Sequence, residues 1–336
     1  MQMAGRGGSR YSGCMKNILV LGGSGFVGRE VCEALSRQRW RFTVPTRRLR
    51  QLQPILNLPL LQPVQASVHD EAALAGLIAG HDAVVNLVAI LHGDAAAFHK
   101  AHVELPEKIA RACAAAGVRR LVHVSALGAA ADAPSMYQRS KAQGEAVLQA
   151  AAQAGQLDLT VLRPSVIFGA QDRFLNLFAQ LQSTFPVMPL AGADTRFQPV
   201  WVGDVARAVL QCLQARETIG QTYELCGPDV CTLRELVQLA GRAAGVNGGR
   251  GRPVLALPEA LGRLQARLME LAPGEPLMSR DNLDSMKVDN VATGALPGLS
   301  ALGITPARLA AVAPTYLGAK GLRSRLNELR RVRRRA

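Results

Sequence analysis

Long hydrophobic runs are missing from this 336-residue chain. The longest near-continuous apolar segment spans residues 83–91 and is interrupted by Asn86, whereas a membrane-crossing helix needs roughly 20 apolar residues. Residues 1–14 are rich in Gly, Ser and Arg and lack the apolar core of a secretory signal peptide. We therefore expect neither a membrane span nor a signal peptide, and we expect residues 1–15 to form a disordered basic extension.

C-x-x-C pairs and metal-ligand spacings are also absent. The six cysteines are scattered, mostly inside apolar patterns: Cys14, Cys32, Cys113, Cys212, Cys226 and Cys231. This usage is typical of reduced, buried thiols in a reducing compartment. Because no His/Cys cluster has ligand spacing, we expect no metal site.

The body of the chain lacks an excess of basic residues. The net charge of +14 divides into +8 over residues 1–50, +7 over residues 320–336 and −1 over the remainder. No basic stripe runs through the body, so we expect no nucleic-acid partner.

The carboxyl-terminal segment, residues 321–336, combines an apolar stripe with many arginines. Leu322, Leu326, Leu329 and Val332 recur at steps of four, three and three. A basic amphipathic helix of this kind can make peripheral contact with an anionic membrane. A frayed tail, or a helix docked on its own protein, remains an equal alternative.

The chain is organised around a glycine-rich turn near its start. The apolar run 18–21 predicts a buried strand, and an amphipathic helix follows Gly28. Gly22 permits a sharp turn, Gly25 leaves space beside a ligand, and Gly28 allows close packing of helix and strand. The helix start then suits a pyrophosphate. The alternative is a glycine-rich turn without a ligand.

An acidic residue is missing where the second predicted strand, residues 41–45, ends. Thr46, Arg47 and Arg48 stand there instead. In a dinucleotide fold an acid at this point bonds the 2′-hydroxyl of NAD(H), whereas arginines can pair with the 2′-phosphate of NADP(H). We therefore predict NADP(H) in preference to NAD(H); the alternative is a pair of solvated arginines.

Alternating patterns predict the fold class. Predicted strands lie at 18–21, 41–45, 60–68, 83–91, 121–125 and 159–162, and predicted helices at 70–79, 95–117 and 138–154. This alternation indicates an α/β Rossmann fold with a doubly wound parallel sheet. We assign residues 16–168 to this domain. Residues 169–320 are assigned to a smaller, mostly helical carboxyl-terminal lobe, some segments of which return to the first domain.

The lobe has its own predicted elements. Helices are expected at 174–181, 204–213 and 232–244, and strands at 197–202 and 223–226. Asp204 is predicted to cap the second helix, and Thr232 with Glu235 to form a capping box for the third.

The pair Tyr137 and Lys141 predicts redox chemistry. A spacing of four places both on one helical face. A lysine beside a tyrosine lowers the pKa of its phenol, which can then exchange a proton while a nicotinamide transfers a hydride. Ser125, at the end of the fifth strand, completes the catalytic set.

These motifs together resemble those of an extended short-chain dehydrogenase/reductase of the atypical kind. The matching segments are Gly22-x-x-Gly25-x-x-Gly28, Asn86-Leu-Val-Ala89, Val124-Ser-Ala126, Tyr137-x-x-x-Lys141, Leu162-Arg-Pro-Ser-Val-Ile-Phe-Gly169 and Pro199-Val-Trp-Val-Gly-Asp-Val-Ala206. Tyr223-Glu-Leu-Cys-Gly-Pro228 and Ser279-Arg-Asp-Asn-Leu283 are similar to the NADPH-binding accessory subunits of respiratory complex I and their bacterial relatives.

The resemblance implies a set of cofactor contacts. Around the pyrophosphate these are Gly22, Ser24, Gly25, Phe26, Val27 and Gly28; at the 2′-phosphate Thr46, Arg47 and Arg48; at the adenine Ser67 and Val68; beyond the fourth strand Leu87, Val88 and Ala89; at the nicotinamide and its ribose Tyr137, Lys141, Pro164, Ser165, Val166 and Ile167. Two positions depart from the family pattern. Ser67 replaces a frequent aspartate, and His102 replaces the asparagine of the proton relay.

Two classes of function follow. In the first, an oxidoreductase acts on a carbonyl or quinone-like substrate through Tyr137 and Lys141; nucleotide-sugar epimerisation or dehydration is a variant. In the second, a non-catalytic NADPH-binding protein supports a respiratory or quinone-biosynthesis complex. The presence of both Tyr137 and Lys141 favours redox activity. We expect a cytoplasmic location, peripheral on the inner face of the membrane, or on the matrix side in a mitochondrion.

Overall fold

The computed structural model describes residues 16–271 and 278–318. The predicted basic extension over residues 1–15 and the predicted amphipathic helix over residues 321–336 lie outside the described residues, as does Cys14. None of the described helices is both long enough and apolar enough to cross a membrane.

The described strands and helices follow the predicted alternation. The strands are β1 (Asn17–Leu21), β2 (Arg41–Thr46), β3 (Leu61–Gln65), β4 (Ala83–Asn86), β5 (Arg120–Val124), β6 (Asp158–Pro164), β7 (Ile167–Phe168), β8 (Met188–Leu190), β9 (Arg196–Phe197), β10 (Val200–Trp201), β11 (Thr222–Leu225), β12 (Cys231–Thr232) and β13 (Val254–Ala256). The α-helices are α1 (Phe26–Arg37), α2 (Glu71–Ile78), α3 (Ala95–His99), α4 (Leu105–Ala116), α5 (Met136–Gln153), α6 (Leu175–Thr184), α7 (Val202–Gln214), α8 (Leu233–Ala243), α9 (Glu259–Glu270), α10 (Arg280–Ser285), α11 (Leu309–Val312) and α12 (Pro314–Leu317). A π-helical turn at Lys100–Glu104 joins α3 to α4, and 3₁₀ helices occupy Leu49–Ile55, Arg216–Thr218, Val246–Gly249 and Leu299–Leu302.

Seven strands form one parallel sheet in the order β3-β2-β1-β4-β5-β6-β11. The strand order reverses between β1 and β4, where Leu21 pairs with Asn86. In a doubly wound sheet the crevice for a dinucleotide opens at this reversal, beyond the carboxyl ends of the strands. The predicted Rossmann fold is confirmed.

Hydrophobic cores cover both faces of the sheet. The four residues 18–21 of β1 are fully buried, and they alternate between the two cores. One core includes side chains from α1 and α7, and the other includes side chains from α2, α4 and α5. Such two-sided burial explains why β1 is a continuous apolar run rather than an alternating one.

The carboxyl-terminal lobe has a third core, built from α6, α8, α11, α12 and short strands. Its capping box is confirmed: the Thr232 hydroxyl accepts the Glu235 N–H, and the Glu235 carboxylate accepts the Thr232 N–H. The segment that contains β11 leaves the lobe and joins the main sheet beside β6.

Several predicted boundaries were wrong. β4 ends at Asn86 rather than at residue 91, and β3 ends at Gln65 rather than at residue 68, because the chain leaves the sheet there to line the crevice. The predicted strand 197–202 is split between β9 and β10, which pair with different partners.

Asp204 does not cap α7. The helix begins two residues earlier, at Val202, and Asp204 is buried within its first turn. Its carboxylate accepts the Ala307 N–H at 2.7 Å and pairs with Arg207. It therefore ties the segment before α11 to the main domain.

Candidate nucleotide-binding and active site

The glycine turn between β1 and α1 is closed by backbone contacts that a side chain would break. Gly22 has a φ of +85° and accepts the Gly25 N–H at 3.0 Å. A Cβ on Gly28 would lie 2.3 Å from the Gly22 carbonyl oxygen. No side chain caps the start of α1 at Gly25. The helix start therefore offers its backbone N–H groups to an anion.

The residues that follow β4 pack directly against this turn. The Asn86 carboxamide accepts the Val88 N–H at 3.2 Å and bonds His123 Nδ1 at 3.1 Å, which holds the loop as it leaves the sheet. A Cβ on Gly22 would meet the Leu87 carbonyl carbon at 3.1 Å. The turn, Leu87 and Val88 thus form one continuous crevice wall, and Ala89 is exposed at its edge.

Arg47 and Arg48 lie directly beyond β2 with exposed side chains. The Thr46 hydroxyl donates to Gln51 Oε1 at 3.0 Å and accepts the Arg48 N–H at 3.4 Å, which fixes the start of this segment. No acidic residue occurs from Thr46 to residue 50. The arrangement can receive a phosphate but offers no carboxylate to a 2′-hydroxyl.

The segment that follows β3 lies close to Arg47 and to two lysines, Lys100 and Lys108. The Ser67 hydroxyl accepts the His69 N–H at 3.4 Å, and Lys108 Nζ donates to the His69 carbonyl at 3.0 Å. Burial lowers the pKa of His69, and the neighbouring positive charges of Lys100, Lys108 and Arg47 lower it further. His69 and Lys108 were not predicted from the sequence, since they are brought together only by packing of α4 beside this loop.

Tyr137 stands at the second position of α5 with its ring partly enclosed. The ring lies edge-on to His102 at 5.5 Å between centroids and to Phe98 at 6.3 Å. Burial raises the pKa of Tyr137 to about 12. The prediction that Lys141 lowers the pKa of this phenol is therefore wrong for this arrangement, and Tyr137 is protonated at neutral pH.

Lys141 is directed at the end of β5. Its side chain is 2% exposed, and Nζ donates to the Val124 carbonyl at 2.9 Å. Burial lowers the pKa of Lys141 to about 8, while nearby Glu145 acts in the opposite direction. Glu145 is itself held by the Arg163 guanidinium through contacts of 2.6 to 3.1 Å.

The lowered pKa of Lys141 predicts a pH-dependent stability. Below pH 8 both folded and unfolded chains carry the proton, and the folded chain bears the penalty of burying the charge. Between pH 8 and 10.5 only the unfolded chain keeps the proton, so stability rises with pH. Relative to Lys141→Met, the unfolding free energy of the wild type should rise by about 1 kcal/mol per pH unit, up to roughly 3 kcal/mol. Denaturant titrations of both proteins across this range measure the difference; a constant difference would contradict the assignment.

His102 lies in the π-helical turn and is 2% exposed. Its Nε2 accepts the Ile90 N–H at 3.1 Å, so its Nδ1 carries the proton and donates to Ser140 Oγ at 2.8 Å. Ser140 in turn donates to the Tyr137 carbonyl at 2.8 Å. Burial, with Lys141 nearby, lowers the pKa of His102 to about 3. Both ring nitrogens are hydrogen-bonded, so this histidine braces the start of α5.

Ser125 follows β5 and has a buried hydroxyl without a partner. The residue is 5% exposed, and Oγ makes no hydrogen bond within the described chain. Buried hydroxyls are normally bonded, so an unpaired one at a crevice indicates a missing ligand. This atom, the uncapped start of α1 and the exposed arginines fit a bound dinucleotide, which would supply hydride chemistry at this edge of the sheet.

The link between β6 and β7 is fixed by a residue of the lobe. Asn290 Oδ1 accepts the Ser165 hydroxyl at 2.6 Å and the Val166 N–H at 3.2 Å. Ser165 is buried, as is Pro164 at the end of β6, whereas Val166 and Ile167 are half-buried. Asn290 therefore holds the middle of the four-residue segment that the resemblance assigns to the nicotinamide. Asn290 itself was not predicted.

The remaining predicted contacts lie around the glycine turn. Ser24 and Phe26 are half-buried and Gly25 is exposed, while Val27 packs against the core. The Ser24 carbonyl accepts Arg29 Nε at 3.0 Å. The structure thus brings the predicted pyrophosphate residues together.

A cavity of about 660 Å³ lies between the loop after β4, the start of α5, and helices α9 and α10 of the lobe. Three arginines line it, and each already has partners: Arg139 with backbone carbonyls, Arg263 with Glu259 and Asp284, and Arg280 with Glu270. Among the residues that the structure describes, no group of acids, histidines and cysteines could hold a metal ion.

Comparisons with known proteins agree with this geometry. The profile of the NAD dependent epimerase/dehydratase family matches residues 18–226. The mouse (Mus musculus) protein named NADH dehydrogenase [ubiquinone] 1 alpha subcomplex subunit 9, mitochondrial, is 30% identical over 318 residues, covering 91% of this chain and 80% of the relative. The NADH-ubiquinone oxidoreductase 40 kDa subunit, mitochondrial, of Neurospora crassa is 27% identical, covering 89% and 78%.

Solved structures match the fold at lower identity. Pal from Bacillus thuringiensis superposes with a TM-score of 0.71 at 15% identity, covering 90% of this chain and 97% of Pal. DesIV, a dTDP-glucose 4,6-dehydratase from Streptomyces venezuelae with NAD bound, gives 0.70 at 21% identity, covering 90% and 95%. From the glycine turn, the sheet order and the matched profile, we conclude that this chain belongs to the NAD-dependent epimerase/dehydratase family of extended short-chain dehydrogenases/reductases.

Proposed function

We propose that this protein binds NADP(H) and retains it as a bound group, as an accessory component of a respiratory complex of the kind named in its mitochondrial relatives. The uncapped start of α1 supports binding of the pyrophosphate, and the exposed Arg47 and Arg48 support selection of the 2′-phosphate. The relatives' names support the respiratory partner.

The observation that carries the accessory role is the state of the proton relay. His102 is neutral, buried and bonded at both ring nitrogens, and Lys141 is bonded to a backbone carbonyl. Tyr137, with its pKa raised to about 12, is a poor base at neutral pH. A site of this kind holds a nucleotide without an efficient route for returning protons to Tyr137.

Two features argue against the nucleotide-sugar variant. Epimerisation and dehydration begin with oxidation of the sugar, which needs Tyr137 as a proton acceptor, and burial opposes that role. The arginines of the lobe cavity are already paired, so a sugar diphosphate would have to displace existing partners.

A second candidate is a reductase for a carbonyl or quinone-like substrate. A protonated Tyr137 can donate a proton to the oxygen of a carbonyl group whose carbon accepts a hydride, and the unpaired Ser125 hydroxyl could bond that oxygen beforehand. A relative named ceramide reductase, from Caulobacter vibrioides, supports this class of reaction. It is 28% identical to this chain, over 56% of this chain and 58% of its own length.

We also propose where the protein works. The relatives are mitochondrial by name. Residues 321–336 carry the basic, leucine-striped sequence described above. Contact of this segment with an anionic membrane would hold the protein on the matrix face in mitochondria, or on the cytoplasmic face in bacteria.

Tyr137→Phe separates the two candidates. We expect the variant to bind NADPH within about twofold of the wild type, because only one hydroxyl is lost. We also expect the wild type to oxidise NADPH no faster than the variant when decyl-ubiquinone or simple carbonyl compounds are added. Absorbance at the nicotinamide band measures the oxidation, and calorimetric titration measures the binding. A loss of about 100-fold or more in a measurable wild-type rate would instead establish the reductase.

A further inference from the structure

The first turn of α5, which carries Tyr137, is held by a side chain 145 residues away. Asp281 of α10 accepts the Met136 N–H at 2.6 Å and the Tyr137 N–H at 3.1 Å, one with each carboxylate oxygen. The Ser135 hydroxyl accepts the Gln138 N–H at 3.2 Å, and the Ser135 carbonyl accepts the Arg139 N–H at 3.2 Å. Every one of the first four N–H groups of α5 is therefore bonded, two of them by the lobe.

The chain that follows Asp281 continues to the other side of the crevice. Residues 279–293, which we call the strap, include Asn290, whose carboxamide bonds Ser165 and Val166. Asp289 fixes the same end by accepting the Arg196 N–H at 2.9 Å. The strap therefore joins the two segments that the resemblance places beside the nicotinamide: the start of α5, and the link between β6 and β7.

We propose that Asp281 is a positioning residue: it latches the strap onto α5, so that docking of the lobe fixes Tyr137 and retains the coenzyme. The carboxylate suits this role, because it is attracted to the positive end of the helix and satisfies N–H groups that lack partners in the helix itself. When the latch opens, Met136 and Tyr137 lose their acceptors, and one end of the strap leaves the crevice. The coenzyme part of this inference rests on the proposed function; the contact with α5 does not.

Amide hydrogen exchange tests the latch directly, without nucleotide. In Asp281→Ala, exchange at the Met136 and Tyr137 amides should quicken by about tenfold or more, because two charge-assisted hydrogen bonds are lost. The interior of α5, around Leu148, should keep its protection. Asp281→Asn keeps one acceptor oxygen and should lie between the wild type and the alanine variant; it also serves if the alanine variant folds poorly.

Asp284→Asn is the matched control, since it alters a carboxylate on the same helix. Asp284 pairs with Arg263 at 3.0 Å and Lys287 at 2.8 Å rather than with α5. In Asp284→Asn, the Met136 and Tyr137 amides should exchange as in the wild type. Unchanged exchange in Asp281→Ala, or equal acceleration in Asp284→Asn, would overturn the latch.

The coenzyme part has its own measurement. NADPH dissociation, followed by stopped-flow displacement, should quicken about tenfold in Asp281→Ala and remain unchanged in Asp284→Asn. Faster amide exchange with unchanged dissociation would overturn the coupling to the coenzyme. If wild-type protein bound no NADPH, the proposed function would fail, while the exchange measurement would still decide the latch.

Discussion

Replacing Gly28 with alanine is expected to weaken nucleotide binding severely. The new Cβ would lie 2.3 Å from the Gly22 carbonyl oxygen, 2.5 Å from the Gly23 Cα and 2.7 Å from the Gly23 carbonyl carbon. These are backbone atoms of the turn itself, so no side chain can rotate away to make room. The turn must open, and the N–H groups of α1 then lose their common orientation.

The affinity for NADPH should fall by about 100-fold or more, since the anion contacts at the helix start depend on that orientation. The unfolding free energy should fall by roughly 2–4 kcal/mol from backbone strain. Titration calorimetry and denaturant unfolding measure the two effects. Gly76→Ala is the matched control: a Cβ there meets nothing within 4 Å, and α2 should become slightly more stable. NADPH affinity within threefold of the wild type in Gly28→Ala would contradict the proposed crevice.

The double substitution Arg47→Ala with Arg48→Ala should weaken NADPH binding by about 100-fold or more while leaving NADH binding within about twofold. The expected loss follows from two guanidinium–phosphate contacts, each worth roughly 1.5–3 kcal/mol. Because NADH has no 2′-phosphate, its affinity should not depend on the two arginines. Calorimetric titrations of both nucleotides into both proteins give the four affinities.

Arg50→Ala is the control for net charge in this comparison, because Arg50 is exposed three residues beyond Arg47 in a 3₁₀ helix. It should lower NADPH affinity by less than about threefold. Equal weakening of NADPH and NADH by the double substitution would place the arginines away from the 2′-phosphate.

The local features of the crevice were predictable from sequence because each depends on neighbouring residues. The glycine spacing, the apolar run of β1 and the two arginines after β2 all lie within about 32 residues of one another. Their geometry follows from allowed backbone conformations and from the parallel sheet. The Thr232–Glu235 capping box was predictable for the same reason.

The contacts that set the chemistry of Tyr137 were not predictable in this way. The sequence places Lys141 one turn away from Tyr137, but only the folded structure shows its Nζ bonded to Val124. His102 could be recognised as a departure from the family pattern, but its bonds to Ile90 and Ser140 depend on the π-helical turn. Asp281 and Asn290 bond to residues more than 120 positions away in the sequence, and no local pattern predicts such partners.

The central claim is that this protein carries NADP(H) as a bound group. Native mass spectrometry of the protein, purified without added nucleotide, tests this most directly, with collisional release to identify the ligand. The account predicts a one-to-one complex with NADP(H) in which the nucleotide survives incubation with quinones and carbonyl compounds. Protein that carries NAD(H), or that neither carries nor takes up a dinucleotide, would contradict it.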